Sequence, residues 1–201
     1  MRRLGHWSLL LALALPAAAL LSAHDAQASL SIAVGFDELL ARSTQVAMVT
    51  PFEMKPVWED GRIFTYTHVH VDTPLGGTAQ AGDEPWVRTM GGIVGGIGQV
   101  VDGEAVLTPG RPALLFLHDG PTGAFEVTAR AQGQYAVRLD AKQHPILVQS
   151  SAAGGGIVPR LPTPGQGPLL PVRLASEVLH TRPLPDGLRE IQAAWSRVHA
   201  R

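Results

Sequence analysis

The sequence predicts a mainly β protein: a small barrel of five to six strands, with a short N-terminal helix before it and a C-terminal helix after it. Three observations carry that expectation. Short runs rich in β-branched and aromatic residues recur along the chain, such as IFTYTHVHVD at 63–72 and ALLFL at 113–117. Turn signals built on Gly, Pro and Asp separate these runs. No alternation of strands with long helical patterns signals a parallel sheet covered by helices.

The elements follow in order. Phe36, Leu39 and Leu40 recur at helical spacing, which predicts a short helix over 36–43. Gln45 to about Trp58 reads as extended chain, with Pro51 and Pro56 marking bends or an edge. Asp60-Gly61 supplies the positive φ angles of a tight hairpin turn, so 63–72 returns antiparallel to the strand before it. A polar loop over 74–83 leads to a third strand at 84–90. Ala113–Leu117 is short, wholly apolar and bounded by turn residues, the pattern of a strand buried on both faces. Alternation then predicts a strand over 125–131, and a hairpin made of 134–139 and 146–148.

The two ends read differently. Met1-Arg2-Arg3, an uncharged run from Trp7 to Leu21 and Ala26-Gln27-Ala28 form a secretory signal cleaved after Ala28. The apolar run is shorter than the ~20 residues that span a bilayer. Export to the periplasm or the exterior follows, with no membrane span once the signal is removed. The barrel domain then occupies 29–149, and Gly, Pro and Ser dominate a linker over 150–171. In the helical tail, 172–201, Asp186 is placed to cap a helix whose Leu188, Ile191, Trp195 and Val198 form one apolar stripe. That stripe must dock, on the protein's own barrel or on a partner.

Charge and cysteine exclude whole classes. Without Arg2, Arg3 and Asp25 the chain keeps 14 basic and 16 acidic residues, no electrostatic footprint for nucleic acid. It has no cysteine, hence no disulfide, thiol nucleophile or thiolate metal site. The glycine run MGGIVGGIGQVVDGE at 90–104 is not a phosphate loop. Its glycines lack the G-x-G-x-x-G order, no Gly-Lys-Ser/Thr follows, and strand residues come next where a helix is needed. It reads as a backbone crossing between the third strand and the buried one.

One pattern carries possible chemistry. His68, His70 and Asp72 alternate along a strand and therefore share a face, an arrangement able to bind zinc with a water in an open position. His118 or His144 would complete such a site. Polar alternation on a half-exposed strand produces the same pattern without metal. No G-x-S-x-G, H-E-x-x-H or S-x-x-K motif occurs. Glu59-Asp60 and Asp83-Glu84 fall at turns, where acidic residues are usually solvated. Trp58 and Trp86 flank turns or strand ends, where they either pack the barrel or offer a sugar a stacking surface.

The runs QVAMVTPFEMKPVWEDGRIFTYTHVHVD, EPWVRTMGGIVGGIGQVVDGE, LTPGRPALLFL and FEVTARAQGQYAV resemble a group of uncharacterised secreted bacterial β-domain proteins of this layout, over about 36–149. More distantly, the layout is similar to the netrin-type OB barrels of metalloprotease inhibitors. The resemblance implies an OB-like barrel. It does not carry inhibition across, because those inhibitors present their edge through an N-terminal Cys and disulfides. The functional expectation is an exported, non-catalytic binding or interaction module with an envelope or protein partner and no cofactor. The alternatives are a zinc-dependent enzyme or metal-binding protein built on His68 and His70, a structural envelope component, or a protease-associated inhibitor-like domain.

Overall fold

The computed structural model describes residues 31–154, 157–158 and 172–200. The expected signal segment and most of the expected linker lie outside the described residues. In chain order the elements are β1 (Ser31–Ile32), α1 (Phe36–Ala41), β2 (Gln45–Glu59), β3 (Arg62–Gly76), β4 (Trp86–Met90), β5 (Gly92–Val94), β6 (Ile97–Gln99), β7 (Ala113–Asp119), β8 (Phe125–Val127), β9 (Gln134–Leu139), β10 (Pro145–Gln149), β11 (Ile157–Val158), α2 (Ala175–Leu179) and α3 (Leu184–His199).

The architecture is the mainly β barrel with terminal helices that the sequence predicts. Five strands close a ring in the order β7–β2–β3–β4–β8, and β8 returns to β7. Every pairing in the ring is antiparallel except β4 with β8, where Val87 and Arg88 lie beside Phe125 and Glu126 in parallel. β9 and β10 extend the sheet outward from β7.

The β2–β3 ribbon dominates the ring. Its turn residues Asp60 and Gly61 take φ angles of 49° and 76°, the geometry that the Asp-Gly pair favours. Three irregularities in register, the last between Pro51 and Glu53, break the ladder. Bulges of this kind bend and twist a strand, which a ribbon of this length needs in order to curl into a small barrel.

β7 and the start of β2 are buried on both faces, and period-2 alternation divides their side chains between two cores. Ala47, Val49, Ala113, Leu115 and Leu117 fill the barrel interior with Val69, Val71 and Val87. Val46, Met48, Leu114 and Phe116 point the other way, into a second core with Phe36, Leu39, Leu40, Leu147, Leu179 and Ile191. The tail therefore docks on its own chain: Ile191 and Ala194 of α3 are fully buried.

Several local expectations change. β3 runs on to Gly76 where a loop from 74 was expected, because β2 supplies pairing partners for Pro74 and Gly76 beyond its bulges. The expected strand over 125–131 stops at Val127. Ala129 and Arg130 take φ angles of 56° and 55°, and the chain makes a 3-10 turn over Arg130–Gly133 before β9. The glycine run is not a plain crossing, because Gly92–Val94 and Ile97–Gln99 pair as a small hairpin. Within the expected linker, Ser151–Gly154 forms a 3-10 turn and β11 pairs in parallel with β1. Pro183 takes the N-cap position of α3, which Asp186 was expected to hold; Asp186 lies in the first turn, 2.5 Å from Arg189. Among the described residues no helix is long and apolar enough to cross a membrane.

Candidate functional site

The outer face of β3 and β4 gathers polar and aromatic side chains that the barrel interior cannot take. Alternation sends Ile63, Thr65, Thr67, Val69 and Val71 inward, and Tyr66, His68, His70 and Asp72 outward. Phe64 lies on the outward side of that alternation as well, although the cover above it leaves it only 9% exposed. Trp86, Arg88 and Met90 alternate outward from β4, and the register sets Tyr66 beside Arg88 and His68 beside Trp86.

Arg88 organises one end of this face. Its guanidinium donates from Nε and Nη2 to Glu59 Oε2, at 3.2 and 2.7 Å, and from Nη1 to Glu126 Oε1 at 2.5 Å. Its Cζ lies 3.5 Å from the centroid of the Phe64 ring beneath it. The Tyr66 hydroxyl donates to Glu59 Oε1 at 2.6 Å, and the Thr122 hydroxyl lies 3.2 Å from the same phenol oxygen. The network thus ties together the β2–β3 turn, β4 and the β7–β8 loop. The bond from Tyr66, together with the Arg88 fork, holds the Glu59 carboxyl below its ordinary range. Burial opposes the charge on Arg88, but its hydrogen bonds to Glu59 and Glu126 outweigh it and raise its pKa.

Beside the network opens a cleft of about 790 Å³ whose lining includes Phe64, Arg88, Met90, Glu104, His118 and Glu126. Burial raises the Glu104 carboxyl, although the Ala105 amide donates to it at 3.0 Å and Arg130 Nε lies 3.8 Å away. His118 Nε2 lies 3.7 Å from Glu126. A second depression, about 490 Å³, is lined by Lys55, Val57, Trp58, Glu59, Tyr66 and Trp86. Trp58 is 48% exposed there.

His68, His70 and Asp72 do share the outer face, as alternation requires, but they do not converge: the two histidines meet different atoms of Glu84, and Asp72 meets Thr50. His68 stacks on Trp86 at 4.3 Å between centroids and meets Phe52 at 4.5 Å, while its Nε2 donates to the Glu84 carbonyl at 2.8 Å. His70 Nδ1 lies 3.7 Å from Glu84 Oε1. Asp72 accepts from the Thr50 hydroxyl at 2.7 Å. His118 and His144 pair elsewhere, with Glu126 and Asp140. Among the described residues, no group of three or more His, Asp or Glu side chains is placed to hold a metal ion.

Sequence reasoning passed over Arg88, Glu126, Lys55 and Tyr66 as site residues. Alternation along Trp86-Val87-Arg88 puts Trp86 and Arg88 on one face, which is a readable signal. The partners of Arg88 come from positions 59 and 126, and only closure of the ring brings them together. The charged groups at this end satisfy one another and leave aromatic rings at the edge of the face. Compared with known proteins, the chain matches no family model, no curated protein and no solved structure.

Proposed function

We propose that the chain is an exported, non-catalytic binding module whose ligand lies across the outer face of β3 and β4. The observation that carries this reading is the Arg88 network. It fixes Tyr66, Phe64, the β2–β3 turn and the β7–β8 loop into one surface with Trp58 and Trp86 at its edge. The ring order supports the OB kind of barrel: the first three ring strands run as a meander, and the third pairs in parallel with the fifth. Barrels of that kind bind through the face of their second and third strands and the two flanking loops. In this chain those parts are β3, β4, the Asp60-Gly61 turn and the loop after β7. A leader of secretory type supports export, and similarity of layout to secreted bacterial β-domain proteins agrees with it.

The experiment is cosedimentation of the full mature chain with the native cell-envelope fraction. Wild type is expected to pellet with the envelope, and a Phe52→Ala/Trp58→Ala double variant to stay in the supernatant. Equal retention of the two overturns the assignment of this face.

A further inference from the structure

We propose that the depression formed by Trp58, Tyr66 and Trp86 is a saccharide site that takes neutral pyranose units. The inference rests on the reading of the β3–β4 face as a binding surface and names the ligand class of that face.

Three features point to a sugar. The first is a set of rings held in place before any ligand arrives. Tyr66 is fixed by its 2.6 Å hydrogen bond to Glu59, and Trp86 by its stack on His68, which the Glu84 carbonyl anchors. Trp58 stays 48% exposed, although a Trp on a sheet normally covers most of its area. Flat apolar faces ready to meet a ring lose little freedom on binding.

The second feature is charge. Glu59 is already neutralised by Arg88. Lys55 is the remaining charged lining residue and has no ion pair among the described residues. A quaternary ammonium ligand would otherwise suit three aromatic rings, but the Lys55 ammonium repels it. A nucleic acid strand would also stack on such rings, but Glu53 and Glu84 line the same face through their contacts with His68 and His70. A neutral ring with apolar C–H faces and hydroxyl edges fits both constraints. Its hydroxyls meet a donor in the Lys55 ammonium and an acceptor in the Glu59 carboxylate.

The third feature is size and continuation. About 490 Å³ lies within the range of roughly 300–1,000 Å³ for small-ligand sites. Beyond Trp86 the aromatic surface continues through His68 to Phe52, which is 46% exposed. A chain of sugars, longer than one ring, is the occupant this strip accommodates.

The experiment titrates the full mature chain with cellotetraose and with chitotetraose, followed by tryptophan fluorescence and isothermal calorimetry. Choline chloride and a dT decamer serve as competing probes. Saturable binding of at least one tetrasaccharide is expected, weakened about tenfold or more by Trp58→Ala, the equivalent of one lost stacking contact. Trp195→Phe, on α3, is expected to leave it unchanged. Trp58 is exposed, so its variant is expected to melt within a few degrees of wild type. Binding of neither sugar overturns the inference, as does binding that Trp58→Ala leaves intact. Tighter binding of choline or of the dT decamer overturns it equally. If both sugars fail while envelope cosedimentation still depends on Phe52 and Trp58, the binding-module reading stands and the saccharide assignment alone falls.

Discussion

The Arg88 guanidinium carbon lies over Phe64, 3.5 Å from the ring centroid, while its nitrogens donate to the carboxylates of Glu59 and Glu126. A planar fork meets both carboxylates while stacking on the ring, which an ammonium cannot do. Arg88→Ala leaves the Glu59 and Glu126 carboxylates without the cation they share. Removing one member of a buried pair costs about 3–5 kcal/mol. Here the carboxylate side chains are 27% and 30% exposed, so solvent screening reduces the expected loss to roughly 2–3 kcal/mol. Arg88→Lys is expected to recover less than half of it. Urea unfolding measures both, and a loss under about 0.5 kcal/mol would mark the network as ordinary surface pairing.

The pH dependence of stability is expected to have two opposing parts. The folded pKa of Glu59 is depressed, so its contribution is present above the unfolded carboxyl value and is lost as pH falls through the folded one. The folded pKa of Glu104 is raised by burial, so its penalty appears as pH rises above the unfolded value and is relieved on acidification. Glu104→Gln is expected to flatten the decline on the neutral side and leave the acid side alone. Tyr66→Phe, which removes the main hydrogen bond to Glu59, is expected to shift the acid limb to higher pH. Melting temperatures from pH 3 to pH 8 separate the two limbs.

Tyr135 is fully buried in the second core, edge-on to Phe116, and its hydroxyl has no hydrogen-bond partner among the described residues. An unpartnered buried hydroxyl costs about 1–3 kcal/mol, so Tyr135→Phe is expected to leave stability unchanged or raise it by about 1 kcal/mol. A clear loss in thermal unfolding would mean that the hydroxyl has a bound water.

Within the glycine run, two positions are expected to respond to very different degrees. Gly92 has φ of 139°, and a Cβ there would lie 2.4 Å from Thr65 Oγ1, a hydroxyl pinned by its bond to the Gly91 carbonyl. Gly92→Val combines backbone strain with overpacking, about 3 kcal/mol in all. Gly96 has φ of 82° and nothing within 4 Å of a Cβ, so Gly96→Asn is expected to cost under about 1 kcal/mol. Chemical denaturation of the two variants side by side decides whether the run is a packing device.

The docked tail makes a further prediction. Ile191 is fully buried against the core that β2, β7 and α1 share, so Ile191→Ala is expected to lose roughly 2–5 kcal/mol. Chain ending before position 172 would leave Leu39, Leu40 and Leu147 uncovered. Such a chain is expected to lose cooperative unfolding in differential scanning calorimetry; an unchanged melt would show that the barrel stands without α3.

Much of the fold was legible in local pattern. Asp60-Gly61 marked its hairpin because few residues accept two successive positive φ angles. The apolar run Ala113–Leu117 marked a doubly buried strand because both of its faces meet a core. The alternation of His68, His70 and Asp72 correctly put them on one face, but alternation carries no information on what lies across from each. Their partners are Glu84 and Thr50, and Trp86 and Phe52 flank His68. Likewise the end of β8 was misplaced, because nothing in FEVTARA announces that Ala129 and Arg130 turn left-handed to reach the 3-10 turn.

Taken alone, the sequence determined the existence of the main ring strands, the tight turn and the apolar stripe of α3, since each depends on periodicity and backbone preference within a few residues. It also holds no cysteine, and its glycine run lacks the order of a phosphate-loop motif. Tertiary structure decided the ring closure through β4 and β8, the seating of α3 on its own core and the grip of Glu59 and Glu126 on Arg88. Those contacts join positions far apart in the chain. Loop closure and side-chain packing select among many partners there, and no local pattern records which one is met.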